Sequence, residues 1–400
     1  MTTNQMTTNP QVVTDIQPPF AQFWSLDPAI SFLNHGSFGA CPIAVLEQQQ
    51  HYRQRMERQP LQFLGVDLEP LLDQAREALA AFVGADAADL GFVPNATTGV
   101  NAVLRSLTFQ PGEELLTTNH EYNACRNALN YIAERERLKI VVAEIPFPLT
   151  SSSQILEIVA NKISSRTRLA LLDHVTSQTG LVFPLAELLQ EFNQRGIETL
   201  IDGAHAPGMI PLNLRELDAT YYAGNCHKWL CSPKGAAFLY VRRDRQPEIR
   251  PLTISHGANA DRPSRSRFHL EFDWMGTDDP TAYLCVPAAI QFMGSLFPGG
   301  WAEIMATNQA LAIAARETLC TAIDVPPPSP NDLLGSLAVV PLPDGNWQNL
   351  HDMLLKEYQI EVPIIPWGHP LGRHIRISAQ IYNHPAQYES LAKALVELLR

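Results

Sequence analysis

The chain has 400 residues, 46% hydrophobic and 18% charged, ordinary for a folded soluble protein and long enough for one large domain with a smaller companion. Its 29 basic and 41 acidic side chains leave a formal charge of −12, which opposes nonspecific binding to nucleic acid or to an anionic membrane. No apolar run reaches the length of a membrane span, and six cysteines without a C-x-x-C pair point to reduced thiols and a cytosolic setting.

Residues 1–20 carry neither a basic start nor an apolar stretch, so the segment reads as a flexible arm without a signal peptide. Amphipathic helices are expected over 42–58 and 68–83, the second with Leu71, Leu72, Ala75, Leu79 and Phe82 on one face. A strand over 89–93 leads into NATTGVN (95–101), which opens a helix. Further strands are expected at 114–117, 139–145, 168–174, 198–202, 219–223 and 236–241, with helices at 123–138 and 185–194 among them. Such alternation predicts an α/β fold, a mostly parallel sheet with helices on both faces.

Residues 242–275 lose this rhythm, and RPSRSRF (262–268) reads as an exposed basic loop. Helices over 281–297 and 301–322 follow. VPPPSP (325–330) then breaks the pattern before a smaller α+β unit. That unit reads as a strand at 335–340, a helix at 347–357, strands at 360–365 and 374–378, and a helix at 385–399. The expected division is a large domain over 21–290 and a small one over 291–400, with the segment near 21–40 free to pack on the latter.

One pair of residues suggests chemistry. The strand over 198–202 ends on Asp202, and Lys228 sits just past the next strand in a loop with Gly224, Asn225 and His227. In a parallel sheet both would face one crevice. Pyridoxal phosphate requires such a pair: a lysine to hold its aldehyde as a Schiff base and an acid to keep its ring nitrogen protonated. A solvated loop lysine and a helix-capping aspartate are the plainer reading. Ala96, Thr97 and Thr98 bring unpaired N–H groups and two hydroxyls to a helix N-terminus, suited to a phosphate or to an ordinary cap by Asn95 or Thr97. In HVTSQTG (174–180), Thr176, Ser177 and Gln178 would lie at the carboxyl edge of the sheet, or simply satisfy their own turn. After Asp202, the small Gly203 and Ala204 leave room for a flat ring. His205 either bonds a phenolate or phosphate oxygen or is a core histidine.

With NATTGVN, HVTSQTG, DGAHAPG (202–208), GNCHKW (224–229), GTDD (276–279) and RISAQIYN (376–383) in this order, the chain resembles the class V aminotransferases of PLP fold type I. SFLNHGSFGACP (31–42) and FDWMGTDDP (272–280) resemble the isopenicillin N epimerase-like branch of that group. The resemblance implies that Lys228 is the Schiff-base lysine, Asp202 the pyridinium partner and His205 a contact to the ring oxygen. It also implies a homodimer: Thr97, Thr98, Asn225 and His227 would hold the phosphate, joined by Thr277 from a second subunit. Arg376 would clamp the α-carboxylate of an amino-acid substrate, with Asn34, His35 and Gly36 lining the substrate side. His120, Tyr122 and Asn123 compete for the place stacked on the cofactor ring.

The implied reaction is epimerisation through an external aldimine, with Lys228 as the base that takes the α-proton. A C–S β-lyase or an aminotransferase shares the first half of that path, and a non-catalytic protein of the same fold is the remaining alternative. Retention of Asp202, Lys228 and Arg376 speaks against that last one. Cysteine desulfurases carry a nucleophilic cysteine where this chain reads IIPWGHPLGRHIRIS (364–378), so persulfide transfer is not expected. Arg262, Arg265 and Arg267 offer a place for a second substrate carboxylate or a solvated loop. His369, His374 and His384 lack a zinc-binding spacing, and no strand leads into a dinucleotide-binding G-x-G-x-x-G.

Overall fold

A computed structural model describes residues 20–368 and 371–400. The arm read over 1–20 lies outside the described residues except for Phe20, and so does His369. Strand β1 (Ser31–Phe32) comes first, followed by β2 (Leu90–Val93), β3 (Glu114–Thr118), β4 (Lys139–Ala143), β5 (Thr167–Asp173), β6 (Glu198–Asp202), β7 (Tyr221–Asn225) and β8 (Ala237–Val241). Strands β2 to β8 form one sheet in the order β2-β8-β7-β6-β5-β3-β4. β4, β3, β5, β6 and β7 run parallel, and β8 is antiparallel to both its neighbours.

Strand alternation sends side chains to two separate cores. Ala170, Leu172, Ile201 and Tyr222 pack on one face with the helices Leu68–Val83, Leu185–Gln194 and Val286–Gly294. Leu169, Leu171, Leu200 and Tyr221 pack on the other with Ala96–Ser106 and Asn123–Glu136. Burial on both faces is why these strands read as continuous apolar runs. Helices on both sides leave the carboxyl ends of β3, β5, β6 and β7 as the open edge.

Further strands, β9 (Leu337–Leu342), β10 (Ile360–Glu361), β11 (Ile364–Trp367) and β12 (Gly372–Ser378), belong to the C-terminal part. β11, β12 and β9 form an antiparallel sheet packed with Gly300–Ala322 and Pro385–Leu398, while β1 pairs with β10. Leu33, just after β1, joins that third core. Among the described residues no helix is long and apolar enough to cross a membrane.

Most boundaries shift by one or two residues, and three differences have a clear local cause. β7 is Tyr221–Asn225 rather than 219–223, because Asn225 still pairs with Ala237 of β8. Gly224 and Asn225 therefore belong to the strand, and Lys228 lies in the β7–β8 connection. The helix expected over 281–297 divides into Thr281–Leu284 and Val286–Gly294 beside Pro287, which lacks an N–H to continue the ladder. The strand expected over 360–365 divides at Pro363 for the same reason.

Candidate active site

The lysine loop is built by close backbone approach. Gly39 has φ +70°, and a Cβ there would stand 2.2 Å from the His227 carbonyl oxygen. Gly208 (φ +88°) lies equally tight against the Trp229 carbonyl. Only glycine fits such contacts. His35 comes from the segment beside Gly39. Its Nδ1 accepts from the Tyr382 hydroxyl at 2.7 Å and its Nε2 donates to the Lys228 carbonyl at 3.1 Å. Burial pulls the His35 ring down to about 3, so it stays neutral and serves as a strut behind the lysine.

Trp229 Nε1–H donates to His205 Nδ1 at 3.2 Å. That makes Nδ1 the acceptor and leaves the proton of a neutral ring on Nε2. His205 Nε2 in turn lies 3.1 Å from Lys228 Nζ. An ammonium has no lone pair to accept from an N–H, so this pairing is the one made by Lys228 in its neutral amine form. Burial, then the Lys228 charge, holds His205 well below its ordinary range, and burial, opposed by Asp202, draws Lys228 down to about 8, so the free amine becomes available just above neutral pH.

Asp202 ends β6, buried. Its Oδ1 accepts from the Ala204 N–H at 3.0 Å and its Oδ2 from the Cys125 thiol at 3.0 Å. Two further buried carboxyls, Asp173 and Glu121, stand beside it. Asp173 ends β5 in direct register with Asp202, and Glu121 follows β3. A carboxylate oxygen of Glu121, one of Asp202 and the Cys125 sulfur lie within 4.8 Å of one another. At that separation two like charges repel by roughly 3 kcal/mol at an effective dielectric of about 20. Burial and then Asp202 raise the Glu121 carboxyl; burial, then Glu121 and Asp202, raise Asp173.

The helix Ala96–Ser106 opens at the same edge. Asn95 caps it by accepting from the Thr98 N–H at 2.8 Å, and Asn225 Oδ1 accepts from the Ala96 N–H at 2.8 Å. The Thr98 hydroxyl also bonds Asn95. At Thr97 neither the N–H nor the hydroxyl has a hydrogen-bond partner within the described chain, so two donors remain at a positive helix end. His227 Nδ1 bonds the Ala236 carbonyl at 2.8 Å.

Arg376, on β12, is 4% exposed. Its guanidinium reaches the Ser177 carbonyl at 2.6 Å, the Ser177 hydroxyl at 3.3 Å and the Ser37 hydroxyl at 2.8 Å. Its Nε has no partner, and among the described residues no carboxylate pairs with it. Burial lowers it only to about 10, so it carries its charge at neutral pH. The Arg376 charge lowers both Lys228 and His205, so it is felt in the same site.

Other candidates fall into two groups. Tyr122 is 40% exposed within reach of the charges on Arg376 and Asp202, with Asn123 exposed beside it. His120, by contrast, is wholly buried, with Nδ1 2.7 Å from the Thr179 hydroxyl and Nε2 3.2 Å from the Ile145 carbonyl. Thr176 is spent on its own turn, and its hydroxyl also meets Thr179. Asn34 bonds Ser37, and the Gly36 N–H bonds the Ser378 hydroxyl at 2.9 Å, holding the N-terminal segment against β12. Thr277 is exposed, without a hydrogen bond to the lysine loop. The basic cluster is spoken for: Arg262 bonds Glu69, Arg265 bonds Asp73 and Asp273, and Arg267 pairs with Glu271. Sequence reasoning assigns no role to Trp229, Cys125, Glu121 or Asp173, although Trp229 follows the lysine directly and the other three lie beside residues that it singles out.

Comparison with known proteins then gives the site a context. The profile described as "Aminotransferase class-V" matches residues 35–391. An isopenicillin N epimerase of Amycolatopsis lactamdurans is 37% identical, covering 94% of this chain and 96% of its own. An L-cysteine desulfhydrase of Arabidopsis thaliana is 29% identical, covering 96% of this chain and 91% of its own. The cysteine desulfurase structure from Thermococcus onnurineus NA1 shares the fold, with a TM-score of 0.81 at 19% identity over 96% of this chain and 98% of that one.

Proposed function

This chain belongs to the class-V aminotransferase family, and on that footing we propose that it is a pyridoxal-phosphate enzyme of the isopenicillin N epimerase-like type, acting at the α-carbon of an amino acid. One observation carries the reading. A buried, charged Arg376 without a carboxylate partner shares the site with Lys228, whose basicity burial draws down to about 8. A buried cation left unpaired is costly unless a ligand supplies the anion, and an α-amino acid brings a carboxylate within one bond of the carbon that gives up its proton.

The residues present fit the cofactor. Thr97 keeps two unspent donors for a phosphate, Asp202 offers a carboxylate for a ring nitrogen, and Lys228 an amine for an aldehyde. Bound pyridoxal phosphate supplies an electron-withdrawing ring joined to the substrate nitrogen. Around it, Asp202 holds the ring-nitrogen proton and Thr97, Thr98, Asn225 and His227 seat the phosphate. Arg376 fixes the substrate carboxylate and thereby turns the α-hydrogen toward Lys228. Lys228 Nζ then takes that proton, its basicity drawn down to about 8 by burial against the opposing pull of Asp202. Tyr122, exposed and within reach of the Asp202 charge, is the ring we assign to stacking on the cofactor; His120 is wholly buried. The exposed Thr277 supports a homodimer in which that hydroxyl reaches the partner's site.

Similarity to an L-cysteine desulfhydrase keeps β-elimination as a second reading. The absence of cysteine over 364–378, with all six cysteines buried and free, supports a route without persulfide. Incubating the enzyme with a panel of amino acids in deuterated water tests both. Deuterium at the α-carbon with inversion and no keto acid is expected. Pyruvate and sulfide from cysteine would establish the lyase instead, and neither exchange nor elimination would overturn the function.

A further inference from the structure

Three neighbouring parallel strands each deliver a buried carboxyl to one point: Glu121 after β3, Asp173 at the end of β5 and Asp202 at the end of β6. Only Asp202 has both oxygens satisfied, by Ala204 and Cys125. Glu121 Oε2 accepts from the Thr117 hydroxyl at 3.1 Å, but its Oε1 has no partner, and neither has Asp173 Oδ2. The groups facing Glu121 are Asp202, Asp173, Cys125, the Tyr122 backbone N–H and one cation, Arg126, whose Nη2 is occupied by the Thr118 carbonyl. Lys228 interacts with Asp202 and Asp173 as well, its basicity drawn by burial to about 8. Neither Arg126 alone nor Arg126 together with a protonated Lys228 can balance three carboxylates in so dry a place. An unpartnered buried carboxyl oxygen is tolerable in the neutral acid and severe in the anion.

We propose that Glu121 is a positioning residue acting through Asp202: held as a neutral acid, with Asp173 likewise, it confines the cluster's negative charge to Asp202. This rests on the reading of Asp202 as partner of the ring nitrogen. A single localised carboxylate keeps that nitrogen protonated, whereas charge spread over three acids would pull protons and cations out of place. Burial, then Asp202, acts on Glu121 in the direction the geometry demands.

The sign of the linkage gives the test. An acid whose folded pKa is raised binds its proton more tightly folded than unfolded. Its presence makes stability fall as pH rises from the unfolded carboxylate range toward the folded value. Melting temperatures of the full-length chain stripped of cofactor should be compared for wild type, Glu121→Gln and Asp173→Asn, from about pH 5 to about pH 8.5. Glutamine mimics the neutral acid, so the melting temperature of Glu121→Gln relative to wild type should climb steadily with pH. A difference constant with pH, or one that moves against the variant, overturns the proposal. Should either variant not fold, infrared spectra of the unmutated protein at neutral pH decide: a protonated carboxyl band resistant to deuterated solvent is expected, and its absence refutes the neutral acids. Adding pyridoxal phosphate to the same wild-type sample tests the cofactor reading separately. Failure to develop a visible band would remove that reading and leave the pH slope standing.

Discussion

Replacing Arg376 by alanine separates recognition of the substrate from the integrity of the site. The side chain makes three hydrogen bonds, two to Ser177 and one to Ser37. Losing them costs stability, but removing a buried charge without a carboxylate partner returns much of that cost. The melting temperature should therefore move little. Binding should change far more. Truncating one partner of a buried, hydrogen-bonded charge pair costs about 2–5 kcal/mol, or roughly thirty-fold to several thousand-fold in affinity. Titrating the cofactor-loaded protein with an amino acid, followed by the visible band, measures the loss. A parallel titration with the corresponding amine, which lacks the carboxylate, supplies the control. The amino acid should weaken by that factor and the amine should not. Equal weakening of both, or an unaltered titration, refutes the assignment of Arg376 to the carboxylate.

Other consequences follow from the same geometry. Trp229→Phe removes the donor that fixes the His205 tautomer, freeing Nδ1 to carry the proton. The amine of Lys228 then loses its donor, and the pH limb for capture of pyridoxal phosphate by the apoprotein should rise from near 8 toward the ordinary lysine range. An unshifted limb contradicts the tautomer argument. Acid should unfold the protein early. His120, His174 and His227 are held neutral near 4 by burial, so the unfolded chain binds more protons below about pH 6.5. Stability should fall steadily from there to about pH 4, and a flat profile across that interval would contradict the burial.

The order of strands and helices was legible because burial on both faces leaves long apolar runs, as in β5 and β6, between polar turns. Errors fell where pairing decides an end, as when β8 carries β7 out to Asn225, or where proline interrupts, as at Pro287 and Pro363. Lys228 and Asp202 could be singled out because a carboxylate ending one strand and a lysine past the next suit one chemistry, and Arg376 because the ordered motifs resemble a known family. The acid cluster could not. Glu121, Asp173 and Asp202 lie on separate strands, and only the register of β5 on β6 brings two of them side by side. Nor does a run such as RPSRSRF reveal that its arginines will be claimed by Glu69 and Asp73 of a helix nearly two hundred residues earlier. The enclosure of His120 has the same origin, since Ile145 and Thr179 reach it from two other segments.

Borohydride reduction of the cofactor-loaded protein, followed by peptide mapping, bears most directly on all of this. It should fix the pyridoxyl group to the peptide carrying Lys228 and bleach the visible band, with no label in Lys228→Ala. Attachment at another lysine, or a wild-type protein that takes up no label, would contradict the account at its root.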